Sequence, residues 1–313
     1  MALRREMAVV ANGIYKSYKS FFGPEVSALR DISLEIVEGE IFGLLGPNGS
    51  GMTPLNSIFS TLIYPERGGL FILGLDAHRD RDKIRKLINI ATAKSNFPWS
   101  LTVQENLRHY GMLYGLYGKD LKRAIGDQIA AFELEEFRDL KFEDLSTALK
   151  QRLCLAKSML NSPRLLLLDE PTTGLDPDIS MKTRQLIKRI HEEEGMTVVL
   201  CTHYMPEAET LCDRIAFLRK GSIVALDTPQ SLKNQLNLGE NMVVKYDGMI
   251  DIQELKALPG VLAVKPRNGA VEIIFDRSAQ NLDGIIKLFS PARIQDIDIK
   301  EPDLEDVFLE LAR

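Results

Sequence analysis

The stretch Leu166–Pro177 reads LLLDEPTTGLDP. An apolar run ends in two adjacent carboxylates, Asp169 and Glu170, and a Pro-Thr-Thr-Gly turn leads to a third, Asp176. A short, continuous apolar run suits a strand buried on both faces of a parallel sheet. The end of such a strand emerges at the sheet's carboxyl edge, where open α/β folds bind their ligands. There Asp169 is placed to hold a magnesium ion, directly or through water. Glu170 is placed to orient or deprotonate an attacking water. An acidic pair alone reads better as the plain end of a buried strand, so the decision falls to the motifs around it.

Upstream, a second apolar strand, IFGLL, runs straight into GPNGSGMTP, residues 46–54. The P-loop pattern is GxxxxGK[ST]. Gly46, Gly51 and Thr53 fit it, with Pro47, Asn48, Gly49 and Ser50 between them, but position 52 is Met and not Lys. The glycines let backbone N–H groups converge on phosphate oxygens, and the following helix presents its N-terminus to the same anion. Thr53 can offer its hydroxyl to magnesium. Met52 removes the ammonium that would reach the outer phosphates. One hydrogen bond to a charged group is worth ~1.5–3 kcal/mol, so binding should weaken by about 10- to 100-fold. The same cation would stabilise transition-state charge, so hydrolysis should lose more. Pro54 is tolerable only in a first helical turn, where an N–H has no intrahelical partner.

Downstream, LSTAL (Leu145–Leu149) precedes the acidic strand, and CTHYMPEAETLCDRIAFL (201–218) follows it. In this order the four segments resemble the ATP-binding subunits of ABC transporters, over about residues 8 to 230. The resemblance implies a fold: α/β, a P-loop NTPase with a RecA-like parallel sheet, an antiparallel β part and a helical subdomain at about 94–162. It implies ATP and Mg2+ as ligands, with Thr53 and Asp169 at the metal. Glu170 becomes the candidate base and His203 the switch histidine that meets the γ-phosphate. Tyr18 is the best candidate to stack on adenine, with Tyr15 second; an aromatic face offers such a surface.

The remaining implied contacts cross to a second subunit. Ser146, Thr147 and Ala148 stand where the family carries the Ser-Gly-Gly of LSGGQ, which caps ATP bound opposite, and Asp176 would meet the opposite subunit. Ser146 can still donate a hydrogen bond. Thr147 and Ala148 replace glycines that allow unusual backbone angles and close approach. The family's usual Gln falls on Ala93 by counting back from LTVQENL; Lys94 and Asn96 are polar neighbours without an assigned role. Phe97, Trp99 and Tyr110 are candidates for a permease-receiving groove, or simply subdomain core. His78, His109 and His191 have no motif context.

At 313 residues the chain accommodates one large domain and a smaller one. The expected boundary gives residues 1–238 to the ATP-binding domain and 239–313 to an accessory module. The tail reads strand, helix, strand, strand, helix, strand, the order of a split βαβ, ferredoxin-like unit. The resemblance implies a dimer-stabilising or regulatory role for it. A net charge of −5 gives no reason to expect nucleic acid. No apolar run approaches the ~20 residues of a membrane span, and MALRREMAVV lacks a signal-peptide core. The expectation is therefore a peripheral protein at the cytoplasmic face of a membrane. Its partners would be a transmembrane permease and a second ATP-binding subunit, in a homodimer or heterodimer. The three cysteines have apolar neighbours and read as buried thiols.

Two functions follow from the mixture of retained and altered residues. One is an exporter's ATP-binding subunit whose own hydrolysis is impaired by Met52 and LSTAL. The other is a catalytically inactive relative acting as a structural or regulatory subunit of a membrane complex. Retention of Asp169, Glu170, Asp176 and His203 favours the first. Soluble relatives in translation or DNA repair carry paired cassettes or long coiled-coil insertions, and this chain has neither.

Overall fold

A computed structural model describes residues 6–19, 25–92, 96–235, 239–267, 269–276, 282–300 and 302–311. The chain divides into two compact units, Met1–Thr228 and Pro229–Arg313.

The first unit begins with β1 (Met7–Lys19), β2 (Glu25–Val37), β3 (Ile41–Leu45) and α1 (Met52–Phe59). β4 (Arg67–Ile72), β5 (Leu75–Asp76), α2 (Arg81–Leu87) and β6 (Ile88–Thr92) come next. Three helices follow: α3 (Val103–Leu113), α4 (Gly118–Ala131) and α5 (Thr147–Met159). The unit closes with β7 (Leu165–Asp169), α6 (Pro177–Glu194), β8 (Thr197–Thr202), α7 (Met205–Leu211), β9 (Arg214–Arg219) and β10 (Ser222–Asp227). The strands make an antiparallel sheet of order β2-β1-β4-β5 and a six-stranded sheet of order β10-β9-β3-β8-β7-β6. In the second sheet β9, β3, β8, β7 and β6 run parallel, and β10 returns antiparallel at the edge.

β3 and β8 are buried at every residue, and β7 at all but Asp169. This is why their sequences are unbroken apolar runs: helices cover both faces of a parallel sheet. The core includes Phe42, Leu44, Leu55, Phe59, Leu165, Leu167, Val199 and Ala216. Helix ends follow local chemistry. Thr102 and Glu105 form a reciprocal capping box at α3. Pro177 opens α6, and Gly195 ends it with φ 64°.

Among the described residues between β6 and β7 lie α3, α4, α5 and two short 3₁₀ turns, Glu135–Phe137 and Phe142–Asp144. Phe97 is buried and packs on Tyr110 and Phe142, so it belongs to the core of this helical part. Trp99 is 73 % exposed. The Tyr110 hydroxyl donates to the Asn96 carbonyl at 2.8 Å. Ala93 and Lys94 lie outside the described residues.

The second unit opens with α8 (Pro229–Gln235), β11 (Glu240–Asp247), α9 (Ile252–Ala257) and β12 (Val261–Arg267). It continues with β13 (Ala270–Phe275), α10 (Leu282–Lys287), β14 (Arg293–Lys300) and α11 (Leu304–Leu311). Its antiparallel sheet has the order β12-β13-β11-β14, the arrangement expected of a ferredoxin-like βαββαβ unit. Met242, Val244, Val271, Ile273 and Phe275 face a core shared with Leu255 and Ile285 of α9 and α10.

Candidate active site

Three neighbouring parallel strands, β3, β8 and β7, end together. Leu45 pairs with Thr202, and Cys201 with Asp169. Gly46, His203 and Glu170 therefore leave the sheet side by side, with strands about 4.8 Å apart. The parallel topology brings the glycine loop, the histidine and the carboxylates to one edge, although up to 157 residues separate them in sequence (46 to 203).

The loop from Gly46 to Gly51 needs its glycines sterically. A Cβ on Gly46 would lie 2.5 Å from the Leu218 carbonyl oxygen. Gly49 and Gly51 have φ of 81° and 113°, in the left-handed range. A Cβ on Gly51 would lie 2.7 Å from the Ala28 carbonyl oxygen. The β9–β10 hairpin braces the loop, because the Gly221 N–H donates to the Ser50 carbonyl at 2.7 Å. Gly51→Ala combines strain with a clash. It should lower stability by about 1–3 kcal/mol and remove nucleotide binding, as thermal unfolding and Mg-ATP titration would show.

Gly51 caps α1, and the first helical hydrogen bond runs from the Leu55 N–H to the Gly51 carbonyl at 3.1 Å. Pro54 precedes that bond, so its ring breaks nothing in the helix. It does remove one of the N-terminal donors that could face an anion. Thr53 is exposed at the same end. Met52 is only 9 % exposed and joins the hydrophobic core. The buried Ser50 hydroxyl has no hydrogen-bond partner. These features fit a phosphate cradle made of backbone donors, with no side-chain cation at its base.

Across the edge, His203 Nδ1 lies 2.8 Å from Glu170 Oε1. Glu170 sits at φ 51°, a left-handed conformation that a bulky residue adopts at a cost. Its N–H is held by the Cys201 carbonyl at 2.8 Å, and the conformation is the one in which its carboxylate meets His203. Burial pushes the Asp169 carboxyl up, and the adjacent Glu170 charge pushes it further. A divalent cation beside it would relieve both effects. No group of three or more His, Cys, Asp or Glu among the described residues could hold a metal by itself. Thr53 and Asp169 would share magnesium with phosphate oxygens and water, the usual arrangement for this ion.

Tyr18 stands on β1 opposite Val26 of β2, two residues from the Ala28 that touches Gly51. It is 47 % exposed, with the Lys16 ammonium 5.6 Å from its ring centre. Tyr15 lies three residues earlier on the same strand and is 38 % exposed.

Ser146 caps α5, its Oγ accepting from the Leu149 N–H at 3.3 Å. That leaves its O–H to donate outward. Thr147 and Ala148 are the first two helical residues of α5, so neither position demands a glycine's backbone freedom. Their Cβ atoms matter only for how closely another surface can approach. Asp176 is exposed at the start of α6 and makes no capping bond through its side chain.

Two buried residues were not singled out in the sequence. Gln151 of α5 donates to the Pro171 carbonyl at 2.7 Å, tying the LSTAL helix to the turn after Glu170. Glu207 of α7 accepts from the Thr172 hydroxyl at 2.8 Å. A visible signal existed for the second: a carboxylate one turn past His203, among the apolar Met205, Ala208 and Leu211.

The family pattern described as "ABC transporter" matches residues 29–173. The chain is 31% identical to Nod factor export ATP-binding protein I of Bradyrhizobium diazoefficiens, over 97% of this chain and 96% of that protein. It is 33% identical to the protein of the same name in Rhizobium johnstonii, over 97% and 94%. Among solved structures, a dimeric post-hydrolysis state of the ATP-binding cassette MJ0796 bound to ADP and Pi aligns with a TM-score of 0.62. That alignment has 29% identity and covers 70% of this chain and 98% of that one. The cbiO1 protein of Clostridium perfringens shares the fold at 23% identity and a TM-score of 0.65, over 74% and 95%. Motif order, topology and full-length relatives agree: the chain belongs to the ATP-binding subunits of ABC transporters.

Proposed function

We propose that this chain binds Mg-ATP at the interface of two ATP-binding subunits and drives a separate membrane permease in an exporter, with impaired intrinsic hydrolysis. The observation that carries the reading is the Glu170–His203 pair, at 2.8 Å, on the sheet edge that also bears Asp169 and the glycine loop. A subunit relieved of all catalytic demand has no reason to hold Glu170 in a costly conformation pointed at His203. The full-length relatives are export proteins, which supports the outward direction.

Bound Mg-ATP supplies the phosphoryl group, and this chain supplies positioning and charge around it. Backbone N–H groups of Asn48, Gly49, Gly51, Met52 and Thr53 would hold phosphate oxygens, the Ser50 N–H being taken by the Pro47 carbonyl, and Thr53 and Asp169 would hold the metal. Glu170 takes the proton of the attacking water, and His203 holds Glu170 in place. Ser146, Thr147, Ala148 and Asp176 contact the nucleotide site or the surface of the opposite subunit. The weak points are Met52 and the closed approach at Thr147–Ala148, so the isolated chain should bind nucleotide and turn it over slowly.

No helix among the described residues is long and apolar enough to cross a membrane. The permease therefore supplies the membrane attachment, and the chain sits peripherally on the cytoplasmic face. The test is Mg-ATP binding and steady-state hydrolysis by the purified chain, alone and with co-purifying partners. Binding alone with turnover in the complex supports the proposal. One observation favours the scaffold reading, the burial of Met52 in the core where a cation would face phosphate. Absence of nucleotide binding in both settings would establish that reading instead.

A further inference from the structure

We infer that Glu207 is a positioning residue whose buried carboxylate clasps the turn after Glu170 to the loop that carries His203, keeping base and histidine in register. The inference rests on the proposed function for its catalytic consequence, though not for the clasp itself.

Glu207 is 0 % exposed. A carboxylate taken out of water is costly unless bonded, and burial accordingly pushes the Glu207 carboxyl up. The Thr172 hydroxyl donates to Oε1 at 2.8 Å and is the compensating hydrogen bond, while Oε2 has no hydrogen-bond partner among the described residues and the Arg184 guanidinium of α6 adds favourable charge. Thr172 is two residues past Glu170 and is the pivot of its turn. Its carbonyl accepts from the Leu175 N–H at 3.2 Å and from the Ser180 hydroxyl, which also reaches the Leu175 carbonyl. Thr202 directly precedes His203, and its Oγ1 accepts from the Tyr204 N–H at 3.0 Å. Glu207 itself stands on α7, and its N–H donates to the Tyr204 carbonyl at 3.2 Å, so its bond to Thr172 joins the turn after Glu170 to the segment that directly follows His203.

An apolar residue would fill this position at less cost, since Met205, Ala208 and Leu211 around it are buried on the same short helix. What an apolar residue cannot do is accept the Thr172 hydrogen bond and so tie α7 to the turn after Glu170. The fold does not need the link for its core, because β7 and β8 already pair along five residues. The link acts beyond the strand ends, where the sheet's own hydrogen bonds stop.

The test reads amide hydrogen exchange in the full-length chain without nucleotide. In Glu207→Ala, residues 171–176 and 202–205 should exchange about tenfold faster, the effect of one lost charged hydrogen bond, while β3, β7 and β8 keep their protection. Thr172→Val removes the other half of the same bond and should loosen both segments to a similar degree. Glu207→Gln, whose amide oxygen still accepts from Thr172, should restore 171–176 to within about twofold. Unchanged exchange in both loops overturns the clasp, and so does a loss spread evenly over the parallel sheet, which would mark a fold-holding residue. In the complex, Glu207→Ala should lower kcat about 10- to 100-fold with KM nearly unchanged. Added to Glu170→Gln it should cost nothing more. A loss in KM alone, or full additivity with Glu170→Gln, overturns the positioning role. A wild-type complex without turnover would instead sink the proposed function, and the exchange result would still stand or fall separately.

Discussion

Replacing Glu170 by Gln should lower ATP turnover in the assembled complex by about 100-fold or more while leaving Mg-ATP bound. The expectation follows from geometry. Glu170 holds a left-handed φ of 51°, anchored by the Cys201 carbonyl, and places Oε1 2.8 Å from His203 Nδ1. Gln keeps the size, the backbone and an acceptor for His203. It removes the basic oxygen that takes a proton from water, and general-base contributions are typically 10²–10⁴-fold. The measurement is steady-state hydrolysis, paired with retention of radiolabelled nucleotide after rapid filtration. A fall in turnover with nucleotide retained assigns the chemistry to this chain. Turnover that ignores the substitution places it in a site built on the partner's own P-loop, with Ser146 as its cap, and sinks the role given to Glu170. Loss of nucleotide as well would mean that the change disturbed the sheet edge rather than the reaction. A second variant, His203→Ala, separates these outcomes, because it touches no strand and frees the Glu170 carboxylate without removing it.

Much of this edge was legible before any coordinates. Apolar runs at 41–45, 165–169 and 197–202 could only be buried parallel strands, and the motif-bearing residues directly follow each one. Strand order then does the rest, because parallel neighbours deliver their next residues to the same rim. The βαββαβ order of the tail was legible for the same reason, from strand and helix periodicity in short segments. What the sequence withheld were side-chain directions. Glycine loss at 147 and 148 suggested altered backbone angles, yet both residues are simply the first turn of α5, and the consequence is steric alone. Phe97 could have lined a groove and instead fills the space between Tyr110 and Phe142. Glu207 and Gln151 make contacts 35 and 20 residues away; local pattern marks Glu207 as a carboxylate on an apolar face but names the partner of neither. The burial of Met52 is the most consequential of these. Sequence spacing put it at the cradle, and the structure shows its side chain in the core.

That burial turns Met52→Lys into a test with two readouts of opposite sign. Mg-ATP affinity should rise about 10- to 100-fold, the value of one hydrogen bond from a cation to phosphate. Stability without nucleotide should fall by about 1–3 kcal/mol, because the new ammonium begins next to Leu55, Phe59 and other core residues and must be drawn out to water or phosphate. Saturating Mg-ATP should then recover the loss. A ligand that binds only the folded chain stabilises by RT ln(1 + [L]/Kd), about 2.7 kcal/mol at a hundredfold excess over Kd. Calorimetric titration and thermal unfolding with and without nucleotide read the two effects. Pro54 sets the ceiling on the gain. It withholds one N–H from the helix end whatever stands at position 52, so Met52→Lys with Pro54→Ser should exceed Met52→Lys alone. Both changes act on the same phosphates, and their effects should therefore couple rather than add. If affinity stays flat in the single and the double variant, the loop itself, rather than its missing cation and missing donor, limits binding. The phosphate cradle formed by Gly46–Thr53 would then be the wrong reading of this site.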